Sequence, residues 1–476
     1  MPVAVGAGSR RSARAVAVVA FLVLLLAPAH RARAQDPVSP VPRRPLGRDV
    51  PVYFPSPGDQ ERREAPVLQN PTGALTLGEA VALALLHNPG LAGFAWEMRA
   101  REARMIQAGR PPNPVLSTMV QDLGGNTGFT GVADPIQAQT TIELGQLVER
   151  GGKRAARQRL AAAGRDLAGW DYETARIDVL TEVSRTFTDV LAAQETVALT
   201  EETSRLVQQV LQSVSARVEA GVVSPIEATR ATVAVAAVRI ESARARRVLD
   251  GSRARLALLW GSATPAFTGV VGNLKTDPAP LPPMTDLLTR LEQSPELARW
   301  AAEISQREAA FGVERSKRAM DVEVVGGYRR YHEIDSHAFV IGASIPLPLF
   351  DRNRGGIDEA RIRLAKAHEE RRAVQARVAA ALADAYAALA GAHDEVTALR
   401  SAVLPGSQET FDAVTEGYRL GKFGYLDVLD AQRTLIAAGS QYLRALSAYY
   451  KAVADVERLI GAPLTGSTGL PTIARE

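Results

Sequence analysis

Gly417-Tyr418-Arg419-Leu420-Gly421-Lys422-Phe423-Gly424-Tyr425-Leu426-Asp427-Val428-Leu429-Asp430-Ala431 joins two long helical stretches through a segment short enough only for a tight reversal. Glu219-Ala220-Gly221-Val222-Val223-Ser224-Pro225 has the same setting in the first half of the chain. Gly221 pairs with Gly421, and Gly261, which closes the next helical stretch, pairs with Gly461 at the same offset. Two breakpoints at one offset mean an ungapped match across a hairpin, and therefore an internal duplication. Further out, Asn88-Pro89-Gly90-Leu91 answers Ser294-Pro295-Glu296-Leu297, and Arg101-Glu102-Ala103 answers Arg307-Glu308-Ala309. Arg150-Gly151-Gly152 is matched in the same way to Arg354-Gly355-Gly356. The organisation is a first repeat over 75–262, a linker over 263–283, a second repeat over 284–462 and a tail over 463–476.

Each half reads as helix, strand, loop, strand, very long helix, turn, long helix. No proline occurs from Gln137 to Ser224, and helical residues dominate from Arg154 to Glu219. A continuous helix there is about 100 Å long at 1.5 Å per residue, more than a globular core needs. Leu206, Val210, Val214 and Val218 form one apolar stripe before the first turn, and Val233, Ala236, Ile240 and Ala243 form one after it. Leu429, Gln432, Ile436, Gly439, Leu443, Leu446, Tyr450 and Val453 step by threes and fours, the spacing of a coiled coil. Pro405-Gly406 interrupts the second rod where the first has Arg205-Leu206, so a bend is expected in one rod and not in the other.

The segments between helices alternate instead. Ile136, Ala138, Thr140, Ile142 and Leu144 interleave with Gln137, Gln139, Thr141 and Glu143, and Phe339, Ile341, Ala343, Ile345 and Leu347 interleave with Val340, Gly342 and Ser344. Val115 to Asp122 and Val322 to Tyr331 precede them in matching places. Each is about the length of a tilted membrane-spanning strand. Four strands cannot close a barrel, which needs about eight, so a spanning barrel requires several copies of the chain. Pattern alone equally allows two soluble hairpins packed on the helices.

The chain has 476 residues, 46% hydrophobic and 23% charged, which fits a folded protein of two large halves. With no cysteine it has no disulfide, thiolate metal site or lipidated N-terminal Cys. Aromatic residues at 5% are too sparse for base stacking. The net charge is +4, and without Arg10, Arg11, Arg14, Arg31 and Arg33 it is −1. Three of these precede the apolar run Ala15–Ala29, and Ala32 and Ala34 frame a cut before Gln35, the layout of a secretory signal peptide over residues 1–34. Cleavage removes the positive excess and with it any electrostatic case for nucleic acid. A proline-dense arm follows over 35–74.

Taken together, these motifs resemble the TolC family of outer-membrane efflux proteins, from about Leu75 to Pro463. Gly417-Tyr418-Arg419-Leu420-Gly421 with Tyr425-Leu426-Asp427-Val428-Leu429-Asp430-Ala431 is similar to the family's second periplasmic turn, where a glycine pair breaks the helix. Glu219 to Pro225 is similar to the first turn. Ile345-Pro346-Leu347-Pro348-Leu349-Phe350-Asp351-Arg352-Asn353-Arg354-Gly355, with Gly151-Gly152-Lys153-Arg154, resembles the cobalt-zinc-cadmium resistance branch. The resemblance implies a mainly α fold with a small β part: very long antiparallel coiled-coil helices and four transmembrane β-strands per chain, joined as a trimeric α/β barrel duct in the outer membrane. It implies a homotrimer, a periplasmic adaptor, an inner-membrane pump of the resistance-nodulation-division class and contact with outer-membrane lipid. An exit tunnel for protein secretion and a soluble coiled-coil adaptor are the rival readings.

In that family polar links among a tyrosine, a basic residue and aspartates hold the periplasmic end closed. Carried over by position, the tyrosine is Tyr418 and the aspartates are Asp427 and Asp430, while the basic position is Phe423, with Lys422 beside it as a substitute. Asp427 and Asp430 share a helix face and in threefold symmetry make a carboxylate ring that favours cations. Asp427 also reads as the cap of a helix that starts after Gly424. The adaptor-docking positions implied are Gly221, Val222, Ser224, Pro225, Gly421, Gly424 and Leu426.

Nothing else in the chain carries catalytic chemistry. His332 and His337 are five apart, so they do not share a helix face as metalloprotease ligands do. With Glu333 and Asp335 they form at most a weak cation-collecting loop. Gly417 to Lys422 is one residue short of a phosphate loop, and Gly125, Gly128 and Gly131 precede a strand, the wrong context for dinucleotide binding. The reading is a non-enzyme without cofactor or resident metal.

Overall fold

A computed structural model describes residues 70–122, 138–292 and 294–464. The leader, most of the proline-dense arm, Ile136 and Gln137 of the second alternating segment, Gly125, Gly128 and Gly131, and the tail beyond Leu464 lie outside the described residues.

The first half opens with β1 (Ala74–Thr76) and α1 (Leu77–His87). Thr76 caps α1, accepting from the Glu79 N–H at 3.3 Å while the Glu79 carboxylate accepts from the Thr76 N–H at 2.8 Å. Next come α2 (Pro89–Ala108), β2 (Val115–Gln121), β3 (Gln139–Val148), α3 (Lys153–Glu219), α4 (Pro225–Leu258) and β4 (Gly269–Val271). The second half runs α5 (Met284–Leu291), α6 (Pro295–Ser316), β5 (Val322–Tyr331), β6 (Ser336–Ser344), α7 (Arg354–Ala398), a π turn (Leu399–Val403), α8 (Leu404–Arg419) and α9 (Tyr425–Ile460). Strand β4 falls inside the expected linker and pairs in parallel with β1, matching Ala74 to Gly269. Trp260, Phe267 and Leu274 are fully buried around it, so the linker is pinned to the core at Phe267 and Leu274 while most of its other residues are open.

Equivalent ends of the halves are built alike. Asn88 and Ser294 each cap a helix that starts with proline, accepting from Leu91 and Leu297 N–H respectively. The matched glycine pairs Gly151-Gly152 and Gly355-Gly356 are not equivalent, however. Gly151 and Gly152 have left-handed backbone (φ 68° and 70°), whereas Gly355 and Gly356 lie inside the first turn of α7. Asn353, with φ 52°, takes the place of Gly152, because asparagine tolerates the left-handed region.

Helix α3 is one continuous helix of 67 residues, about 100 Å at the α-helical rise. Its partner rod is interrupted by the π turn, one turn before Pro405. Proline offers no N–H and its ring crowds the carbonyl four residues back, so the helix widens there to accept it. The linker straps this rod at two places: Asp277 pairs with Arg400 of the π turn, and the Tyr386 hydroxyl of α7 donates to Pro282 O at 3.0 Å.

The stripe on α9 faces inward, with Ile436, Gly439 and Tyr450 half-buried and the rest buried. Gln432, Leu443, Leu446 and Val453 are all below a tenth exposed, and Gly439 lets Leu199 of α3 approach closely. The stripe expected on α4 faces outward: Val233 is 64% and Ile240 68% exposed, while Ala231, Val235, Ala245 and Ser252 are buried. An alanine-rich helix offers more than one apolar stripe, and the smaller side chains allow the closer approach to α3.

The hairpins β2–β3 and β5–β6 form one antiparallel sheet of four strands, ordered β2-β3-β5-β6. Its registers set Leu144 beside Leu116 and Gly326, Ile142 beside Tyr328, Tyr328 beside Phe339 and Gly326 beside Ile341. The middle rows of that face are mainly apolar and open, with Leu116 70%, Phe339 49% and Ile341 86% exposed, and a polar row of Thr140, Arg330 and His337 follows toward the hairpin loop. The opposite face aligns Ser117 with Glu143 and Thr141 with Arg329, whose Nε donates to Thr141 Oγ1 at 2.9 Å. Hairpins folded onto the helices would bury the apolar face; here it is uncovered. Among the described residues no helix is long and apolar enough to cross a membrane.

Candidate functional site: the turns at the rod tips

Rods and return helices meet at two turns with the same backbone. In the first, the Val222 N–H donates to Arg217 O at 2.9 Å and the Gly221 N–H to Val218 O at 3.0 Å. In the second, the Lys422 N–H donates to Gly417 O at 2.8 Å and the Gly421 N–H to Tyr418 O at 3.0 Å. This is the Schellman closure, which needs a left-handed residue just past the helix. Gly221 (φ 69°) and Gly421 (φ 73°) supply it. Gly417 does not break its helix. A Cβ there would sit 2.2 Å from the Phe423 ring, so the bare glycine makes room for Phe423 to fold back over the turn.

Beneath the turns lies a compact core of Val214, Ala231, Phe411, Tyr418, Tyr425, Val428 and Leu429, drawn from α3, α4, α8 and α9. Tyr418 is its polar junction. The Arg217 guanidinium of α3 lies 4.4 Å from the Tyr418 ring centroid and donates to Tyr418 O at 2.6 Å. The Tyr418 hydroxyl donates to Glu227 Oε2 of α4 at 3.4 Å, and its ring packs 6.1 Å from that of Tyr425. Burial raises the Tyr418 pKa, with Arg217 opposing and Glu227 reinforcing the shift. Tyr425 is raised to about 12, chiefly by burial. Its hydroxyl and the Gln432 amide nitrogen are buried with no hydrogen-bond partner among the described residues.

The expected gate residues do not gather round Tyr418. Its cation is Arg217 from the other rod, and its carboxylate is Glu227 from the other turn. Lys422 is exposed and its ammonium makes no ion pair among the described residues; Phe423 is 48% exposed. Asp427 sits in the first turn of α9, where its Oδ2 accepts from the Gly424 N–H at 2.8 Å, so the capping reading describes its contact. Asp430 is exposed a turn further along. Arg217 and Glu227 carry no local motif. The signal for Glu227 is positional: under the repeat it occupies the place of Asp427.

The expected docking positions cluster on the outside of the turns. Ser224 caps α4, its Oγ accepting from the Ile226 N–H at 3.4 Å, and Pro225 takes the first helical position. Gly424 caps α9. Val222 (62%), Leu426 (58%), Ile226 and Leu420 are exposed beside them, an apolar tip framed by two glycine turns. At the far hairpin, His332 Nε2 lies 3.1 Å from Thr140 Oγ1, and His337 Nδ1 contacts the Tyr328 hydroxyl. No group of three or more His, Asp or Glu able to hold a metal ion occurs among the described residues.

Paired rods, tight tips and an open sheet turned apolar side out define an outer-membrane channel subunit. The sequence model of the outer membrane efflux protein family matches residues 80–262 and 289–462, and the chain belongs to that family. It is 38% identical over 390 residues to the cobalt-zinc-cadmium resistance protein CzcC of Cupriavidus metallidurans, covering 82% of this chain and 90% of that one. It is 30% identical over 368 residues to the nickel-cobalt-cadmium resistance protein NccC of Alcaligenes xylosoxydans xylosoxydans, covering 75% and 79%. A solved structure of CusC superimposes with a TM-score of 0.68 at 19% identity, over 84% of this chain and 99% of that one.

Proposed function

We propose that the chain is the exit duct through which a tripartite pump passes heavy-metal cations, three copies closing one barrel. The sheet's inverted polarity carries this reading. Four strands with free edges, an apolar outer face and a face bearing Thr141, Glu143 and Arg329 are stable in lipid only when further strands complete a closed wall. Cargo is inferred from the metal-resistance relatives, and the duct is passive, the work being done by an inner-membrane pump of the resistance-nodulation-division class. The exposed tips at Val222, Ser224, Pro225 and Leu426 receive the periplasmic adaptor. The Arg217–Tyr418–Glu227 junction holds the tip shut, with Asp427 and Asp430 forming a cation-favouring ring at its mouth. Export begins with cleavage before Gln35.

The test expresses the chain with a cognate adaptor and pump in a metal-sensitive Gram-negative host. Restored growth on cobalt, zinc or cadmium, together with a trimer mass in detergent, supports the proposal. Secretion of a protein substrate without any gain in metal tolerance would assign the duct to protein export, and a monomer mass would remove the shared barrel.

A further inference from the structure

Strand β6 stops at Ser344 and α7 starts at Arg354, and the joining stretch Ile345-Pro346-Leu347-Pro348-Leu349-Phe350-Asp351-Arg352-Asn353 has no equal in the first half. There, β3 passes to α3 through Glu149-Arg150-Gly151-Gly152 alone, with Glu149 paired to Arg157 and the Arg150 N–H held by Asp321 at 3.1 Å. The longer stretch places its apolar side chains in the open: Ile345 is 48%, Leu347 72%, Leu349 66% and Phe350 99% exposed. It is nevertheless an ordered construction. The Leu349 N–H donates to Leu347 O at 2.9 Å, and Arg352 Nε donates to Pro348 O at 3.1 Å. At its end, Asn353 Nδ2 donates at 2.9 Å to both Glu314 O and Glu314 Oε2.

We infer that Leu347, Leu349 and Phe350 form a wedge that seats in the phospholipid of the leaflet nearest the rods and anchors the duct there. The inference rests on the outer-membrane placement above. Continuity supports it, because the exposed odd-numbered positions Phe339 and Ile341 of the sheet's apolar face continue through Ile345, Leu347 and Leu349 beyond the strand's end. Few backbone donors in the segment need a partner: Pro346 and Pro348 carry no N–H, and that of Leu349 is met by Leu347 O. Charge supports it too. Exposed Arg352 and Arg354 follow Phe350, whereas the intervening Asp351 carboxylate is turned onto the Asn353 N–H at 2.8 Å. Apolar side chains followed at once by guanidinium groups match the boundary between acyl chains and phosphate headgroups. Such a wedge adds hold where the sheet meets the rods.

The absence of cysteine makes the test clean. Phe350→Cys and Ile341→Cys full-length proteins each take a single polarity-sensitive fluorophore and are reconstituted into phosphatidylethanolamine and phosphatidylglycerol vesicles. Ile341, on the sheet's open face, reports whether the barrel lies in lipid at all. The expected result is quenching of both labels by brominated lipid, with the position 350 label quenched about twofold more by bromine near the headgroup than by bromine near the chain end. Quenching at 341 with none at 350, and iodide reaching 350 from water, overturns the wedge and leaves the membrane reading standing. A position 350 label shielded from both lipid and iodide means that a second copy covers the segment, and also overturns it. No quenching at either position removes the membrane placement and the wedge with it.

Discussion

At the first tip turn Glu227 reaches 3.4 Å across to the Tyr418 hydroxyl, while at the second Asp427, its counterpart at the third position of the next helix, folds back onto the Gly424 N–H. The backbone of the two turns is the same, and their caps differ. Ser224 supplies a hydroxyl to the start of α4, so the Glu227 carboxylate is released for another use. Gly424 has no side chain, so the exposed donors of α9 draw in Asp427. A duplicated turn has thus diverged into one arm that latches and one that caps, and the cap residue decides which.

The largest effect expected from breaking this arrangement lies at the position after each cap. Tyr425 is 2% exposed and Pro225 is exposed. Tyr425→Ala should lower stability by about 3 kcal/mol, and Pro225→Ala by less than about 1 kcal/mol, read from thermal unfolding in detergent. Equal losses would mean that the tip core of α8 and α9 is not the stronger one.

Next come the reversals themselves. Gly221→Val and Gly421→Val each force a β-branched residue into left-handed backbone, at about 2 kcal/mol apiece. Beyond its chain neighbours, no atom among the described residues lies within 4 Å of an added Cβ at either position, so the cost is conformational and should be the same at both turns. Gly424, at φ −84°, carries no such penalty.

A smaller and opposite effect is expected at Tyr425→Phe, which removes a buried hydroxyl with no partner among the described residues and should stabilise by about 1 kcal/mol. It also tests the ionisation. Burial lifts Tyr425 from 10.0 to about 12, so between those values the unfolded chain loses its proton first and stability falls as pH rises. The fall should shrink in Tyr425→Phe, measured as the unfolding midpoint from pH 9 to 12.

The smallest change sharpens the comparison most. Gly424→Ser adds a side-chain hydroxyl to the cap, worth about a few tenths of a kcal/mol, and frees Asp427; Asp427→Ala removes the carboxylate from the helix start and costs about 0.5–1 kcal/mol. If Asp427 and Asp430 form the gate, alanine at both raises conductance in planar bilayers, whereas Asp430→Ala alone leaves stability unchanged. Unchanged conductance in the double variant assigns Asp427 to helix capping alone.

The parts of the fold governed by local rules were legible in the sequence. Glycines at 221 and 421 mark left-handed closures, Asn88-Pro89 and Ser294-Pro295 mark helix starts, and alternation marks the strands. The parts chosen by packing were not. Nothing near Arg217 points to a tyrosine on the other rod, because the pairing exists only once α3 and α8 lie side by side. The stripe at Val233 and Ile240 shows the same limit, since helices dense in alanine leave several faces equally fit to bury and the neighbouring helix selects one. Asn353 stood outside the repeat for another reason: two residue types meet one backbone demand.

The rods also act as a gauge. Each residue added to or removed from a helix moves its far end by about 1.5 Å and swings it by about 100°, so the bearing of the tips is set at the opposite end of the chain by counting. The π turn at Leu399–Val403 takes up an extra residue in a single turn, which gives the second rod a vernier adjustment absent from the uninterrupted first rod. Deleting one residue within that turn should return it to regular α-helical pitch, whereas a single-residue insertion elsewhere in either rod should rotate its tip by about 100°.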